Sequence, residues 1–241
     1  MEPWRIYALG DRALTVSFGD TLSDLLSETV LSLQQALQAD PIPGVEECVP
    51  SYATLTLYYD PAVVRASLPG PPGLSVSERL ASHLWQRCQQ PTPTGSASSP
   101  RLVEIPVCYE PDFGLDLDLV AVHAGMTVDE VIELHLSRTY RVYLIGFVPG
   151  FPYMGVTDPR LDIPRRAEPR QRVAPGSVAL AGRQTGIYPL ETPAGWQVIG
   201  RTPWTLFDAK RTPACWLSAG MEVRFRRIGL EDFASTSQPW P

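Results

Sequence analysis

Between Gly146 and Asp208 the chain gathers residue types that suit a binding surface. The run GFVPGFPYMG at 146–155 sets Phe147, Phe151 and Tyr153 among the glycines 146, 150 and 155. Glycine reaches backbone geometries closed to other residues and lets a ligand come close, while the rings supply apolar walls and Tyr153 a hydroxyl. The same run would also serve as a rigid loop that only packs. Next, Arg160, Arg165, Arg166, Arg170 and Arg172 crowd into fifteen residues, with Pro159, Pro164 and Pro169 expected to hold the backbone extended. Guanidinium forks bind carboxylate and phosphate in two-point fashion, so one or two of these suit an anion, and the rest suit ion pairs with the protein's own acids. Ser177, Arg183, Gln184, Thr185 and Tyr188 follow between further glycines and suit hydrogen bonding to a small polar amide or acid. Ser177 is outside any G-x-S-x-G elbow and is not read as a hydrolase nucleophile.

Proton carriers are few: His83, His123 and His135. His83 falls at the boundary of a helix face. His123 lies near the end of one predicted helix, where the dipole favours a cation, and His135 near the end of the next. Both are candidates for acid–base work, with capping as the plainer role. No histidine spacing matches a metal motif, and Cys48, Cys88, Cys108 and Cys215 are too far apart for a zinc site. The only lysine, Lys210, leaves no phosphate-binding P-loop.

The elements that must position these groups read as two units. Strands are expected at Trp4–Leu9, Ala13–Phe18, Val45–Pro50 and Ala53–Tyr59. Leu22, Leu25, Leu26, Val30, Leu33 and Leu37 define the apolar face of one helix, and Val76, Leu80, Leu84 and Cys88 that of another, with Ser75 or Ser77 as its cap. The Pro- and Ser-rich run at 91–100 reads as a linker. Beyond it come a strand at Arg101–Tyr109 and helices near Asp116–His123 and Val128–Leu136, the second opened by the capping box Thr127 and Glu130. Short strands then follow at Arg141–Phe147, Ser177–Ala181, Trp196–Gly200, Trp204–Phe207 and Glu222–Arg227, the pattern of a barrel or sandwich. The fold class is α+β: an N-terminal α/β domain over 1–92, a linker over 93–100, and a β-rich domain over 101–241.

Bulk properties narrow the partners. The 241 residues carry a net charge of −6, which disfavours nucleic acid. Ala121, Gly125 and Val131 have helix-turn-helix spacing, but Asp129, Glu130 and Glu133 occupy the would-be recognition helix, so a packed helical hairpin is expected. With 44% hydrophobic residues the chain can bury its own core. No run approaches the length of a membrane span and no basic, apolar leader opens the chain, so a cytoplasmic protein with reduced thiols and no membrane partner is expected.

The strings GFVPGFPYMG, DPRLDIPRRAEPR, GSVALAGRQTGIYPLETPAGWQVIGRTP and LFD, in this order, resemble the family of the 5-oxoprolinase B subunit. The family is also called allophanate hydrolase subunit 1 and includes the KipI-type inhibitors of a sensor histidine kinase. The likeness is dense from Arg101 to Ile228 and weaker before it. It implies that the second domain is a cyclophilin-like β-barrel and that the chain works with subunits A and C, which together hydrolyse 5-oxo-L-proline to L-glutamate at the expense of ATP. No complete nucleotide site is read in this chain, and no metal or prosthetic group. Carried onto this sequence, the resemblance implies that Tyr153, Gly155, Arg160, Arg166, Gln184, Thr185, Gly186, Tyr188 and Arg201 line a substrate or anion cleft. It adds Asp208 as an acid to set beside His123 or His135 as catalytic candidates. A kinase inhibitor and a subunit of urea or allophanate metabolism are alternative roles. Three departures stand out: Ala174 and Pro175 in place of a Pro-Ala order, Ala194 for a glycine, and Met221 for an aspartate, the last expected to touch only a turn.

Overall fold

The structure, a computed structural model, describes residues 4–89 and 100–236. The chain divides into two compact units, 1–99 and 100–241. The expected linker, apart from Pro100, lies outside the described residues.

In the first unit β1 (Arg5–Ala8), β2 (Ala13–Ser17), β3 (Val45–Pro50) and β4 (Thr54–Tyr59) form an antiparallel sheet in the order β1-β2-β4-β3. Two amphipathic helices, α1 (Asp24–Ala39) and α3 (Val76–Gln89), bury Val30, Leu33, Leu37, Leu80 and Leu84 against Leu14, Val16, Leu55 and Leu57. Full burial of each such aliphatic side chain contributes about 1.5–3 kcal/mol, which is what holds the helices to the sheet. Ser75 caps α3: its Oγ accepts the Glu78 N–H, and Glu78 accepts the Ser75 N–H in return. Leu25, expected on the buried face of α1, is 69% exposed, because one turn of 3.6 residues carries it past the stripe, where Ser27 is buried instead. A short helix, α2 (Pro61–Ser67), stands where no element is expected; Asp60 caps it and Pro61 starts it.

The second unit is a closed seven-strand barrel. Its strands are β5 (Leu102–Cys108), β6 (Thr139–Ile145), β7 (Pro152–Gly155), β9 (Ser177–Ala181), β10 (Gln184–Ile187), β12 (Gln197–Arg201) and β13 (Glu222–Ile228). They run in the order β10-β7-β6-β13-β5-β12-β9, with β9 paired back to β10; β5 and β13 are parallel and the other pairs antiparallel. Helices α4 (Leu117–Ala124) and α5 (Val128–Leu136) pack on the barrel core as a helical pair, and the Thr127–Glu130 capping box closes the start of α5. A two-stranded ribbon, β8 (Arg170–Val173) with β11 (Thr192–Ala194), lies apart from the barrel sheet. Among the described residues, no helix is long and apolar enough to cross a membrane.

Two expectations are corrected here. Residues 204–207 form no strand: Trp204 and Leu206 are buried while Thr205 is exposed, so a period of two arises from packing, and pairing is limited to one bridge between Phe207 and Cys215. The proline-rich run from 158 is not uniformly extended, because Pro159–Leu161 closes a 3₁₀ turn under an Asp158 cap. At the turn before β13, the Met221 sulfur accepts the Ser218 N–H at 3.3 Å, so the side chain that replaces an acid still serves only its turn.

Candidate functional site

Strands β7 and β10 bring five of the expected cleft residues together. Their register sets Gln184 opposite Gly155, Thr185 opposite Met154 and Gly186 opposite Tyr153. Side chains alternate across a sheet, so Thr185 and Met154 face the barrel core while Tyr153 and Gln184 face the other way. On that outer face Phe151 is the hub of an aromatic cluster. Its ring centroid lies 4.8 Å from Tyr153, 5.0 Å from Tyr188, 5.5 Å from Trp196 and 5.8 Å from Phe147, all edge to face. Such geometry sets ring edges against neighbouring π faces and adds about 0.5–1.5 kcal/mol per pair beyond burial. The cluster makes Gly186 a packing glycine, since a Cβ there would stand 2.7 Å from Phe151 and 3.0 Å from the Pro152 carbonyl oxygen.

The loop leading into β7 is held from behind. Gly150, at φ 84°, abuts Phe207 and the Leu206 carbonyl so closely that a Cβ would fall 2.7 Å from the Phe207 Cβ. Phe147 holds the left-handed backbone expected of the glycines, at φ 65°, and is 62% exposed. That conformation costs a non-glycine residue about 1–2 kcal/mol, so the surrounding turn fixes an exposed ring at the edge of the cluster.

Arg165 completes this surface, its guanidinium carbon 6.0 Å from the Trp196 ring centroid. Burial pushes the Tyr188 phenol up to about 12, partly offset by the Trp196 N–H and by Arg165, and burial raises Tyr153 as well. Both are neutral hydrogen-bonding groups at physiological pH.

Most of the other arginines of the run are engaged by acids of the chain. Arg160 pairs with Asp158 at 3.0 Å, and Asp158 also takes Arg138 at 3.0 Å; its hydrogen bonds to Arg160 lead in holding that carboxyl well below the usual range. Arg166 and Arg170 converge on Asp116, and Arg172 meets Glu191 at 3.5 Å. Asp116 is the residue that sequence spacing misses. Its carboxylate, 3% exposed, accepts Arg166 Nη1 at 2.6 Å, both Arg170 terminal nitrogens at 2.6 and 2.8 Å, and the Val198 N–H at 2.7 Å. The only local signal is an acid just before a helix, which reads as a cap, yet its side chain makes no cap bond. Within 146–208, Arg165, Arg183 and Arg201 have no acid partner among the described residues.

The three acid–base candidates do not meet. His123 is exposed, with Nε2 3.0 Å from the Asp162 carbonyl oxygen. His135 is fully buried inside the barrel, Nδ1 2.9 Å from Tyr109 Oη and Nε2 3.1 Å from Thr185 Oγ1. Asp208 accepts the Lys210 N–H and Arg211 Nε within its own turn. Among the described residues, no group of His, Cys, Asp and Glu is arranged to hold a metal ion.

Arg201, at the end of β12, stands apart from Arg165 and lines a cleft of about 620 Å³. The cleft is walled further by Pro189, Thr202, Trp204, Phe207 and Phe233.

A family model described as carboxyltransferase domain, subdomain C and D, matches residues 4–217. The 5-oxoprolinase B subunit of Bacillus subtilis (strain 168) is 38% identical over 233 residues, which is 95% of each chain. The protein of the same name from Escherichia coli O157:H7 is 38% identical over 93% of this chain and 96% of its own. The crystal structure of TTHA0988 superposes with a TM-score of 0.75 at 35% identity, covering 95% of this chain and 41% of that one. The chain thus spans about two-fifths of that longer relative.

Proposed function

This chain belongs to the carboxyltransferase-domain family of subdomains C and D, and on that premise we propose that it acts as the B subunit of a 5-oxoprolinase. The observation that carries the reading is the 38% identity running over 95% of both this chain and the Bacillus subtilis protein. Relatives of that name take part in a multi-subunit enzyme, so the reaction is placed in an assembly with subunits A and C, at the expense of ATP.

The chemistry explains why one chain would not suffice. A lactam carbonyl is deactivated by resonance, and water opens it only after its oxygen has been made a better electron sink, which is the service ATP would supply. That step needs a nucleotide site and a positioned base. Here His135 has both ring nitrogens engaged inside the barrel, His123 rests on a backbone carbonyl, and Asp208 is occupied by its own turn. The residues of this chain therefore bind and orient. The aromatic face of β7 and β10 with Arg165 excludes water on one side of a shared site, and guanidinium groups without acid partners stabilise negative charge on the substrate or on the oxygen as the ring opens.

The test is reconstitution. ATP-dependent release of glutamate from 5-oxo-L-proline is expected from the three subunits together and from no preparation lacking this chain. Full turnover by subunits A and C alone would sink the reading.

A further inference from the structure

We propose that the cleft around Arg201 is a binding site for a small carboxylic acid with a compact ring or apolar body, and that Arg201 grips the carboxylate. The inference rests on the oxoprolinase reading for its natural ligand, 5-oxo-L-proline, a five-membered ring bearing one carboxylate. The site itself is argued from geometry.

Arg201 is built in a way the exposed arginines are not. Its Nε donates to the Pro175 carbonyl oxygen at 2.8 Å, which fixes the plane of the fork. The guanidinium carbon lies 5.8 Å from the ring centroids of both Phe113 and Phe233, two rings stacked at 4.5 Å. Those contacts strip water from the group while supplying no negative charge. A guanidinium has five N–H donors and one is used here, so the remainder of the fork is held ready for an acceptor. In a chain with net charge −6, where Arg166 and Arg170 share a carboxylate, Arg201 has no acid partner among the described residues. A preorganised, partly desolvated fork of this kind favours a planar carboxylate that accepts two parallel hydrogen bonds.

The rest of the cleft sets the body of the ligand. Pro189, Pro203, Trp204 and Phe207 are rigid apolar walls, and hydroxyls at Thr202 and Thr205 add polar points. A volume of about 620 Å³ is ample for a ring acid and falls in the usual range for small-molecule sites. One arginine among apolar walls is poor provision for the several charges of a nucleotide.

Calorimetric titration of the purified full chain with 5-oxo-L-proline, 2-pyrrolidone and inorganic phosphate separates the possibilities. The ring acid is expected to bind, and 2-pyrrolidone, which keeps the lactam and lacks the carboxylate, is expected not to. Arg201→Gln should weaken the ring acid by about tenfold or more, equivalent to about 1.4 kcal/mol. Arg201→Lys, which keeps the charge and loses the two-point fork, should fall between, and Arg172→Gln at a solvent-exposed pair should match wild type. A thermal melt of each variant accompanies the titration, and if Arg201→Gln melts early the Arg201→Lys comparison decides. Unchanged binding in the folded Arg201 variants, equal binding of 2-pyrrolidone, tighter binding of phosphate, or no uptake of the ring acid by the wild-type chain would each overturn the proposal. Failure of reconstitution would instead remove the enzyme assignment and leave this binding result standing.

Discussion

Replacing Asp116 with alanine is expected to destabilise the barrel unit by about 3 kcal/mol and to release the arginine-bearing loop that precedes β8. The carboxylate is a latch with four contacts: two guanidiniums from the loop, and a peptide N–H on β12 that it meets while its own N–H bonds the Val198 carbonyl at 2.8 Å. Cutting a buried pair on one side usually costs about 3–5 kcal/mol, because the partner charge is left without compensation. The lower end applies here, since Arg166 and Arg170 keep 26% and 23% of their side-chain surface in water and can rehydrate. Asp116→Asn should cost less than the alanine, because the amide oxygen can still accept the Val198 N–H. Arg166→Ala should cost less again, since Arg170 continues to hold the carboxylate by two bonds. Hydrogen exchange at the β9 and β12 amides reads this order directly. Equal protection in all three variants would show that the loop is held by something else. The order also bears on function: Arg166 is among the residues expected in the cleft, and a loss of activity in Arg166→Ala would report a displaced Arg165 and Trp196 surface as readily as a lost ligand contact.

What the sequence makes legible follows the range of the interactions involved. Helices α1 and α3 stand out because their apolar spacing is a local property, and β3 and β9 because each is a short run of suitable residues between turn signals. Strands β7, β8, β10 and β11 do not stand out. Their sequences PYMG, RQRV, QTGI and TPA carry proline, glycine or charge in three or four residues, and what makes them strands is a neighbour far along the chain. The site shows the same limit. Composition marks 146–208 as a surface of arginines and rings, but cannot say that Thr185 turns inward while Gln184 turns outward. That alternation depends on the register with β7. Nor can it separate committed arginines from available ones, because Asp116 lies 50 residues from Arg166 and 54 from Arg170. Those pairings turn a run of five cations into four ion-paired groups and one, Arg165, that faces rings.

Acid should weaken the barrel through His135 before it weakens it through the carboxylates. The imidazole is sealed among Tyr109, Thr185, Tyr140 and Phe225, its ring stacked 4.6 Å from that of Phe225. Thr185 Oγ1 donates to the Ala179 carbonyl at 3.2 Å, so it accepts from Nε2–H; Nδ1 then accepts from the Tyr109 hydroxyl, and Tyr140 donates to the His135 carbonyl. This network has room for one neutral tautomer and none for a second ring proton. Burial alone pulls the imidazole down to about 3. The charged groups nearest the network are Arg227 and Glu133 beside Tyr109, and Arg138 and Asp158 beside Tyr140. In the unfolded chain the same histidine takes a proton near its ordinary value of about 6.5. Between these two values the unfolded state binds one proton more than the folded state, so stability falls as pH falls, by at most about 1.4 kcal/mol per unit. It is fully present above about 6.5 and has nothing further to lose below about 3. From pH 7 to pH 4.5 the loss comes to about 2.5 kcal/mol, in a window where Asp158, held low by its hydrogen bonds to Arg160, remains ionised. His83, lowered by partial burial in the other unit, adds a smaller slope of the same sign, so the comparison is made on the barrel strands. His135→Gln should be less stable than wild type at pH 7, through lost packing and an unpaired Tyr109 hydroxyl, and the gap should close by about 2.5 kcal/mol at pH 4.5 because glutamine takes up no proton. Exchange protection of the Ala179 and Thr185 amides across that range is the measurement. Parallel pH profiles for the two proteins would mean that His135 is protonated inside the fold, and that the hydroxyl network turns to receive the second proton.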